Sequence, residues 1–289
     1  MDISSLVQPH SAACKTDPAD VIMWSSPSSQ EQATTSPSST TPAFPGPLLV
    51  VDHERDRPRS PLLPAAKTRT ALLLIDIQRG LNTSHGFFGT ERSTPMLEEN
   101  VAGLLRRCRE YNKDAAHGGG DHPIQIIHVF HRSSNPASPL HESGRAQKDG
   151  MAFMLCAAPD ESSALETVLS KRANSAFADG KLARLLAEKK IAQLVVVGIA
   201  TDHCVSTSVR WAKDLGVVKR NWDGDAGLAA DAAPDPQNAG EIVLVRDATA
   251  CFGKGGVGAE MVQRVSLASL EGEFAELATT ADVLGELFA

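Results

Sequence analysis

Three side chains that could do chemistry together each follow a short apolar run in this sequence. They are Asp76, Lys171 and Cys204. Alone, such an aspartate commonly caps a turn, such a lysine is commonly solvated, and such a cysteine commonly packs as a small hydrophobe. Together, a carboxylate can take the proton of a thiol while an ammonium favours the thiolate. The combination therefore indicates a cysteine hydrolase.

The elements that must position these groups are short apolar strands separated by helices. Apolar character on both faces predicts buried strands of a parallel sheet; the runs are Ala71–Ile75, Ile124–Phe130, Leu194–Val197 and Ile242–Val245. Lys171 follows a further short extended run, 167–170. Apolar residues spaced three and four apart predict the helices, which are Pro95–Tyr111, Asp179–Lys190, His203–Leu215 and Ala259–Glu276.

This alternation predicts an α/β fold, a Rossmann-like, doubly wound and mainly parallel sheet with helices on both faces. Ligands of such sheets bind beyond the carboxyl ends of the strands, where all three reactive residues are expected. Cys204 is also expected in the first turn of a helix, where free N–H groups and the helix dipole favour a thiolate. We therefore predict Asp76, Lys171 and Cys204 as one catalytic group.

The domain organisation is predicted from composition. Residues 1–66 are rich in Ser, Thr and Pro, most of all from Ser25 to Pro47, and are predicted to be a disordered tail, although Pro47–Val51 could add an edge strand. Residues 67–289 form the predicted catalytic domain. Within it, 219–240 is rich in Gly, Asp, Ala and Pro without clear periodicity, which predicts an inserted surface loop.

The charge balance and the cysteine pattern exclude several classes of function. Lys and Arg number 28 against 35 Asp and Glu, and this net charge of −7 argues against a nucleic-acid or anionic-membrane partner. No apolar run is long enough to span a bilayer, and the N-terminus lacks the pattern of a secretory or mitochondrial signal. The five cysteines are scattered and odd in number, which is typical of a reducing compartment. We predict a cytoplasmic protein with a small-molecule substrate.

Three segments, in this order, resemble the isochorismatase-like cysteine hydrolases: Ala71-Leu-Leu-Leu-Ile-Asp76-Ile-Gln78, Lys171-Arg-Ala-Asn-Ser-Ala-Phe177 and Val197-Gly-Ile-Ala-Thr-Asp-His-Cys204-Val205. The resemblance spans roughly 67–289 and implies a Rossmann-like sheet, a dimer or tetramer, and joint action of Asp76, Lys171 and Cys204. It also implies a cis peptide between Ile199 and Ala200. The backbone amides of Ala200 and Cys204 are then expected to form the oxyanion hole.

Metal and cofactor sites are not predicted. Relatives of the nicotinamidase type carry an acidic residue and closely spaced histidines near the second strand. Here His128 and His131 lie three positions apart, so on one strand they face opposite sides and cannot readily share a metal. The first strand is not followed by a dinucleotide-binding glycine pattern. We therefore predict no metal and no cofactor.

The predicted reaction is metal-independent cleavage of a C–N bond in a small amide, ureide or related substrate, through an acyl-enzyme on Cys204. Gln78, His131, Asn135 and Phe88 are the predicted substrate contacts. The open alternatives are hydrolysis of a vinyl ether, as in isochorismatase proper, a nicotinamidase activity, and a catalytically silent interaction protein on the same fold. Amide hydrolysis is favoured because a poor electrophile needs both a strong nucleophile and preorganised oxyanion donors.

Overall fold

The computed structural model describes residues 62–82, 86–115, 122–222 and 235–289. Six parallel strands form one sheet in the order β3-β2-β1-β4-β5-β6. The strands are β1 (Thr70–Ile75), β2 (Gln125–His131), β3 (Glu166–Lys171), β4 (Gln193–Ile199), β5 (Glu241–Ala250) and β6 (Glu276–Ala278). The helices are α1 (Arg79–Asn82), α2 (Leu97–Asp114), α3 (Lys181–Glu188), α4 (Ser206–Asp214), α5 (Ala259–Ala268) and α6 (Thr280–Glu286).

The central strand β1 shows why these strands are apolar on both faces. Leu72 and Leu74 pack into the core on one side of the sheet, while Leu73 and Ile75 pack into the core on the other. This split follows from the alternation of side chains along a strand. Helices α2 and α6 supply the first core, and α3 and α4 supply the second. The predicted doubly wound α/β fold is confirmed.

The strand order changes direction between β1 and β4, which run side by side at the centre of the sheet. A crevice opens at the carboxyl ends of the strands where such a change occurs. Gly198 of β4 lies so close to β1 that a Cβ atom there would come within 2.2 Å of the Ile75 carbonyl oxygen, and its φ is +146°. Glycine therefore brings the end of β4 directly against the end of β1.

The sheet has two strands beyond the four predicted. The run at 167–170 is the central part of β3, and the three-residue β6 is too short to show a periodic pattern. The predicted helix Ala259–Glu276 ends at Ala268, and Gly272 turns the chain with a φ of +78° before β6 begins. Glycine adopts this left-handed conformation at little cost, and it lets the chain turn between the end of α5 and the start of β6.

The described residues reach only part of the predicted tail, 1–66, and part of the predicted loop, 219–240. Leu62 and Ala65 are buried, and the Gln193 side chain exchanges hydrogen bonds with the backbone of Leu63, so the packed chain extends upstream of Lys67. Most of the predicted tail, with Pro47–Val51, lies outside the described residues. So do residues 223–234 of the predicted loop. At the ends of that loop, Arg220 donates its backbone N–H to the Asn238 carbonyl at 2.9 Å.

Candidate active site

Asp76 is the first residue after β1. Its backbone adopts a φ of +52° and its N–H donates to the Val129 carbonyl of β2 at 2.8 Å. The left-handed conformation is uncommon for an aspartate and turns the chain sharply at the strand end. The side chain is 1% exposed, and its Oδ1 atom has no hydrogen-bond partner among the described residues. A buried carboxylate oxygen therefore remains available to accept a proton.

Lys171 is the last residue of β3 and points its ammonium at the other two reactive groups. Its Nζ lies 2.7 Å from Asp76 Oδ2 and 3.1 Å from Cys204 Sγ, and it also donates to the Ala173 carbonyl at 3.1 Å. His131 Nδ1 lies 3.4 Å away. Burial disfavours the charged amine, but the Asp76 carboxylate and the hydrogen bonds to Asp76 and Cys204 outweigh it and raise the pKa of Lys171. The ammonium is thus held charged between carboxylate and thiol.

Cys204 lies in a π-helical turn, Thr201–Val205, that leads from β4 into α4. The peptide bond between Ile199 and Ala200, just before this turn, is cis, as the resemblance implies. Val205 donates its N–H to the Ala200 carbonyl at 3.2 Å, which closes the turn. The three reactive residues, predicted from separate stretches of sequence, are brought together by this arrangement.

The protonation state of Cys204 differs from the sequence-based expectation. Burial raises the pKa of the thiol to about 12, and the Asp76 carboxylate acts in the same direction, while the Lys171 ammonium only partly offsets them. A thiol with this pKa is neutral at physiological pH. The expectation that the helix N-terminus favours a resting thiolate is therefore wrong, and the proton must leave during the reaction.

These groups open into a cavity of about 240 Å³. Its wall combines apolar side chains with a few polar ones, as small-molecule sites generally do. The lining residues are Asp76, Leu81, Phe88, His131, Leu140, Asn174, Ile199, Ala200, His203, Cys204, Phe252 and Lys254. This volume lies below the roughly 300–1,000 Å³ of pockets that hold drug-sized ligands, so the cavity suits a small molecule.

Two of the four predicted substrate contacts line this cavity and two do not. His131 and Phe88 are in its wall. Gln78 is fully buried, and its side chain hydrogen-bonds the backbone. It donates to the carbonyls of His131 and Met151 and accepts from the His131 N–H. Asn135 is exposed, and its Oδ1 accepts the N–H of Ala137 in a local turn. Gln78 is therefore a support for His131, and Asn135 belongs to a surface loop.

Several lining residues were missed by sequence reasoning. His203 directly precedes Cys204 in the third matching segment, and Asn174 follows Lys171 closely, so both could have been found from their neighbours. Phe252 and Lys254 come from the glycine-rich loop between β5 and α5. Nothing in the local pattern indicates that this loop returns to the cavity.

One group of side chains has metal-ligand character. Ligand atoms of Asp76, His131 and Cys204 lie within 4.8 Å of one another. The Lys171 ammonium lies within 3.4 Å of an atom of each of these three residues. A cation bound among them would have to displace this ammonium and overcome its repulsion. His128 points elsewhere, and its Nε2 lies 3.0 Å from Glu166 Oε2 in the core.

Comparison with known proteins identifies the family. The family model described as the isochorismatase domain matches residues 70–282. An uncharacterized isochorismatase family protein of Bacillus subtilis, YrdC, is 26% identical over 223 residues, which cover 75% of this chain and 96% of that protein. The chain belongs to the isochorismatase family, and it is a hydrolase of that family.

Solved structures give the same result for the fold. A putative hydrolase of the isochorismatase family from Chromobacterium violaceum is 28% identical, covers 80% of this chain and 98% of its own, and has a TM-score of 0.59. A cysteine hydrolase from Pseudomonas syringae, 19% identical, covers 80% of this chain and 97% of its own with a TM-score of 0.55, and it supports the fold alone. Within the described residues, no helix combines the length and apolar character needed to cross a membrane.

Proposed function

We propose that this protein hydrolyses the acyl C–N bond of a small amide or ureide through a covalent intermediate on Cys204. The observation that carries the proposal is the Lys171 ammonium, which contacts the Asp76 carboxylate and the Cys204 thiol at once. This contact couples a nucleophile to a base in a cavity that also admits a small acyl compound. The proposed chemistry requires no metal ion.

Acylation begins with transfer of the thiol proton to Asp76, whose Oδ1 is buried and unpartnered among the described residues. The Cys204 Sγ then attacks the carbonyl carbon, and the electron pair of the C=O bond moves to oxygen. We assign the N–H groups of Ala200 and Cys204 to this oxyanion. As the intermediate collapses, the C–N bond breaks and Asp76 returns its proton to the leaving nitrogen.

Deacylation uses the same groups in reverse order. Asp76, again a carboxylate, takes a proton from water as the water oxygen attacks the thioester carbon. The C–S bond then breaks, Sγ regains a proton from Asp76, and the carboxylic acid leaves. Lys171 stays protonated throughout, because its raised pKa keeps its charge beside whichever group is anionic. Each turnover consumes one water and regenerates the resting thiol.

The test is a screen of the purified protein against small amides and ureides for ammonia or amine release. Cys204→Ala is expected to reduce turnover at least about a thousandfold, since the nucleophile is lost. Cys156→Ala is a matched control, because this half-buried thiol lies outside the cavity. Rapid-quench mass spectrometry should show an acyl adduct on Cys204 in the wild type.

Vinyl-ether hydrolysis is the competing reaction, and it needs mainly a proton donor. An Asp76 carboxylic acid would suffice for it, and no thiol is required. A Cys204→Ala protein that keeps most of its activity while Asp76→Asn is inactive would therefore overturn the acyl-enzyme proposal. A nicotinamidase activity would appear in the amide screen. A wild-type protein that turns over nothing and forms no adduct would favour an interaction protein on this fold.

We also propose a cytoplasmic homo-oligomer, a dimer or tetramer, with no cofactor. The cellular setting is supported by the cysteines, since the four that are described, Cys108, Cys156, Cys204 and Cys251, are all free thiols. The oligomer is supported by the family and is measured directly by sedimentation velocity. A monomer across the micromolar range would contradict it.

A further inference from the structure

We infer that Lys254 and His203 bind a carboxylate carried by the substrate, so that this hydrolase selects acyl compounds with an anionic group beyond the scissile bond. The inference rests on the proposed function only in placing the substrate in the cavity beside Cys204. Both side chains line that cavity, and the catalytic steps use neither of them. They form a second polar centre next to the Asp76–Lys171–Cys204 group.

The Lys254 ammonium is held in place by Asp202. Its Nζ lies 2.6 Å from Asp202 Oδ2 and 3.3 Å from His203 Nδ1, while His203 Nδ1 lies 3.1 Å from the same Asp202 oxygen. Burial opposes the charge on Asp202, but contacts with His203 and Lys254 outweigh it and hold the pKa of Asp202 well below its usual range. Asp202 is thus a permanent anion that anchors both nitrogen groups.

The orientation of this cluster determines which chemistry it presents. Asp202 is 17% exposed and is not part of the cavity wall, whereas Lys254 is 34% exposed and His203 is 55% exposed, and both are in the wall. Cys251 lies on the buried side, where burial and the charge of Asp202 raise the pKa of its thiol to about 11. The Asp202 carboxylate therefore lies behind the cavity wall, and the Lys254 ammonium and the His203 imidazole face the cavity.

Unused hydrogen-bonding capacity remains on that face. An ammonium has three N–H donors, and Lys254 directs one of them at Asp202 Oδ2, while His203 Nδ1 lies 3.3 Å from its Nζ. His203 Nε2 has no partner among the described residues. A carboxylate has two oxygens, so it can accept a charge-assisted hydrogen bond from a remaining ammonium N–H and a second from His203 in the tautomer that carries its N–H on Nε2.

The backbone around Lys254 fixes its position. Lys254 and Val257 exchange backbone hydrogen bonds at 2.9 and 3.0 Å, and Gly255 and Gly256 between them have φ values of +58° and +78°. Positive φ at both central residues defines a tight two-residue turn that favours glycine. Gly253 also donates its N–H to the Glu91 carbonyl at 2.9 Å. The loop therefore holds Lys254 over the cavity with little freedom.

The experiment measures binding without requiring turnover. Alkylation of Cys204 by iodoacetamide is followed at pH 8.5 and constant ionic strength in the presence of malonamate, succinamate or glutaramate. The neutral diamide of each, which replaces the carboxylate by an amide of nearly equal size, is its partner probe. The concentration that halves the alkylation rate reports affinity. Wild type, Lys254→Met, Lys254→Arg and Lys189→Met are compared, with Lys189 an exposed lysine at the end of α3.

For at least one chain length, the wild type is expected to bind the carboxylate about tenfold more tightly than the diamide, as one charge-assisted hydrogen bond provides. Lys254→Met should remove this preference for the carboxylate over the diamide, Lys254→Arg should retain most of it, and Lys189→Met should leave it unchanged.

Three results would overturn the inference: no protection by any carboxylate probe, equal protection by both members of every pair, or a preference that persists in Lys254→Met. Failure of the acyl-enzyme proposal is a separate result, because it is read from the Cys204 adduct and from the turnover of Cys204→Ala.

Discussion

The state of the Cys204 proton is decided by competing contributions of different size. A helix N-terminus stabilises a nearby anion by about 0.3–1 kcal/mol, which is less than one pKa unit. Burial and a neighbouring carboxylate can each shift a pKa by more than that. Both raise the pKa of Cys204, and Lys171 offsets only part of the increase. The resting enzyme therefore stores its nucleophile as a neutral thiol beside an intact Asp76–Lys171 ion pair.

Replacing Asp76 should separate thiol acidity from catalysis. The Asp76 charge raises the pKa of Cys204, so Asp76→Asn should lower that pKa and increase the thiolate fraction at any given pH. We expect iodoacetamide to label Cys204 about tenfold faster at pH 8 in this variant, while turnover is lost for want of a base. In the wild type the labelling rate should keep rising from pH 8 to 10 without a plateau.

Peptide mapping by mass spectrometry after timed labelling measures the labelling rate of Cys204 in the variant and its pH dependence in the wild type. Asp179→Asn is the control, because that exposed carboxylate pairs with Lys181 on the surface and should leave Cys204 labelling unchanged. Slower labelling of Cys204 in Asp76→Asn would show that the carboxylate assists ionisation of the resting thiol. The assignment of a neutral Cys204 thiol beside the Asp76 carboxylate would then be wrong.

At the scale of elements, the position of Lys171 depends on how β3 is anchored to the rest of the sheet. Glu166, at the start of this edge strand, accepts two hydrogen bonds from Arg109 of α2 at 2.7 and 2.8 Å and lies 3.0 Å from His128 of β2. Burial opposes its charge, but these bonds and the Asp160 N–H outweigh it and lower the pKa of Glu166 to about 2. The strand that ends in Lys171 is thus tied to the sheet and to a helix at its other end.

Glu166→Gln should destabilise the fold and flatten its acid dependence. A carboxylate whose folded-state pKa is lowered from 4.5 stabilises the protein fully above that value, and the contribution is lost as the pH falls toward 2. Loss of the charge-assisted bonds should cost about 2 kcal/mol, or a fall in Tm of roughly 4–8 °C at pH 7. The deficit relative to wild type should shrink below pH 4.

Thermal unfolding across pH 2–7 tests this prediction. Glu161→Gln is the control, because Glu161 is exposed in the turn that precedes β3. An equal Tm deficit at every pH would mean that Glu166 acts through packing and not through its charge.

At the scale of the whole molecule, the position of the domain boundary can be tested by truncation. Leu62 and Ala65 are buried, and Ala65 donates its N–H to the Leu287 carbonyl at 2.8 Å, which ties the start of the described chain to the end of α6. Removing residues 1–66 therefore exposes core surface, whereas removing 1–61 leaves these contacts intact.

We expect the 1–61 deletion to keep the wild-type Tm, because that segment is rich in Ser, Thr and Pro and poor in apolar residues. The 1–66 deletion should lose about 2–4 kcal/mol, mainly from Leu62, and its Tm should fall by roughly 5–15 °C. Differential scanning calorimetry of the three proteins decides the point. A large loss already in the 1–61 deletion would show that part of the predicted tail contributes to the core.

Local sequence determined the elements whose signals are contained within a few residues. The runs that form β1, β2, β4 and β5 are apolar on both faces because their residues alternate between two cores, so their pattern is readable without a structure. The family segments around Asp76, Lys171 and Cys204 could also be recognised without a structure, because each is a short run of consecutive residues. β6 and the end of α5 were missed because a three-residue strand has no period and the turn between them depends on Gly272.

The tertiary structure alone decided what surrounds the reactive atoms. Lys254 and Phe252 reach the cavity because β5 lies beside β4. Gln78 does not line the cavity, because its side-chain amide is hydrogen-bonded to the backbone of His131. The neutral state of the Cys204 thiol likewise depends on burial and on the distance to charges far apart in the chain. Strand periodicity and motif order are properties of neighbouring residues, whereas cavity walls and pKa values arise from groups that meet only after folding.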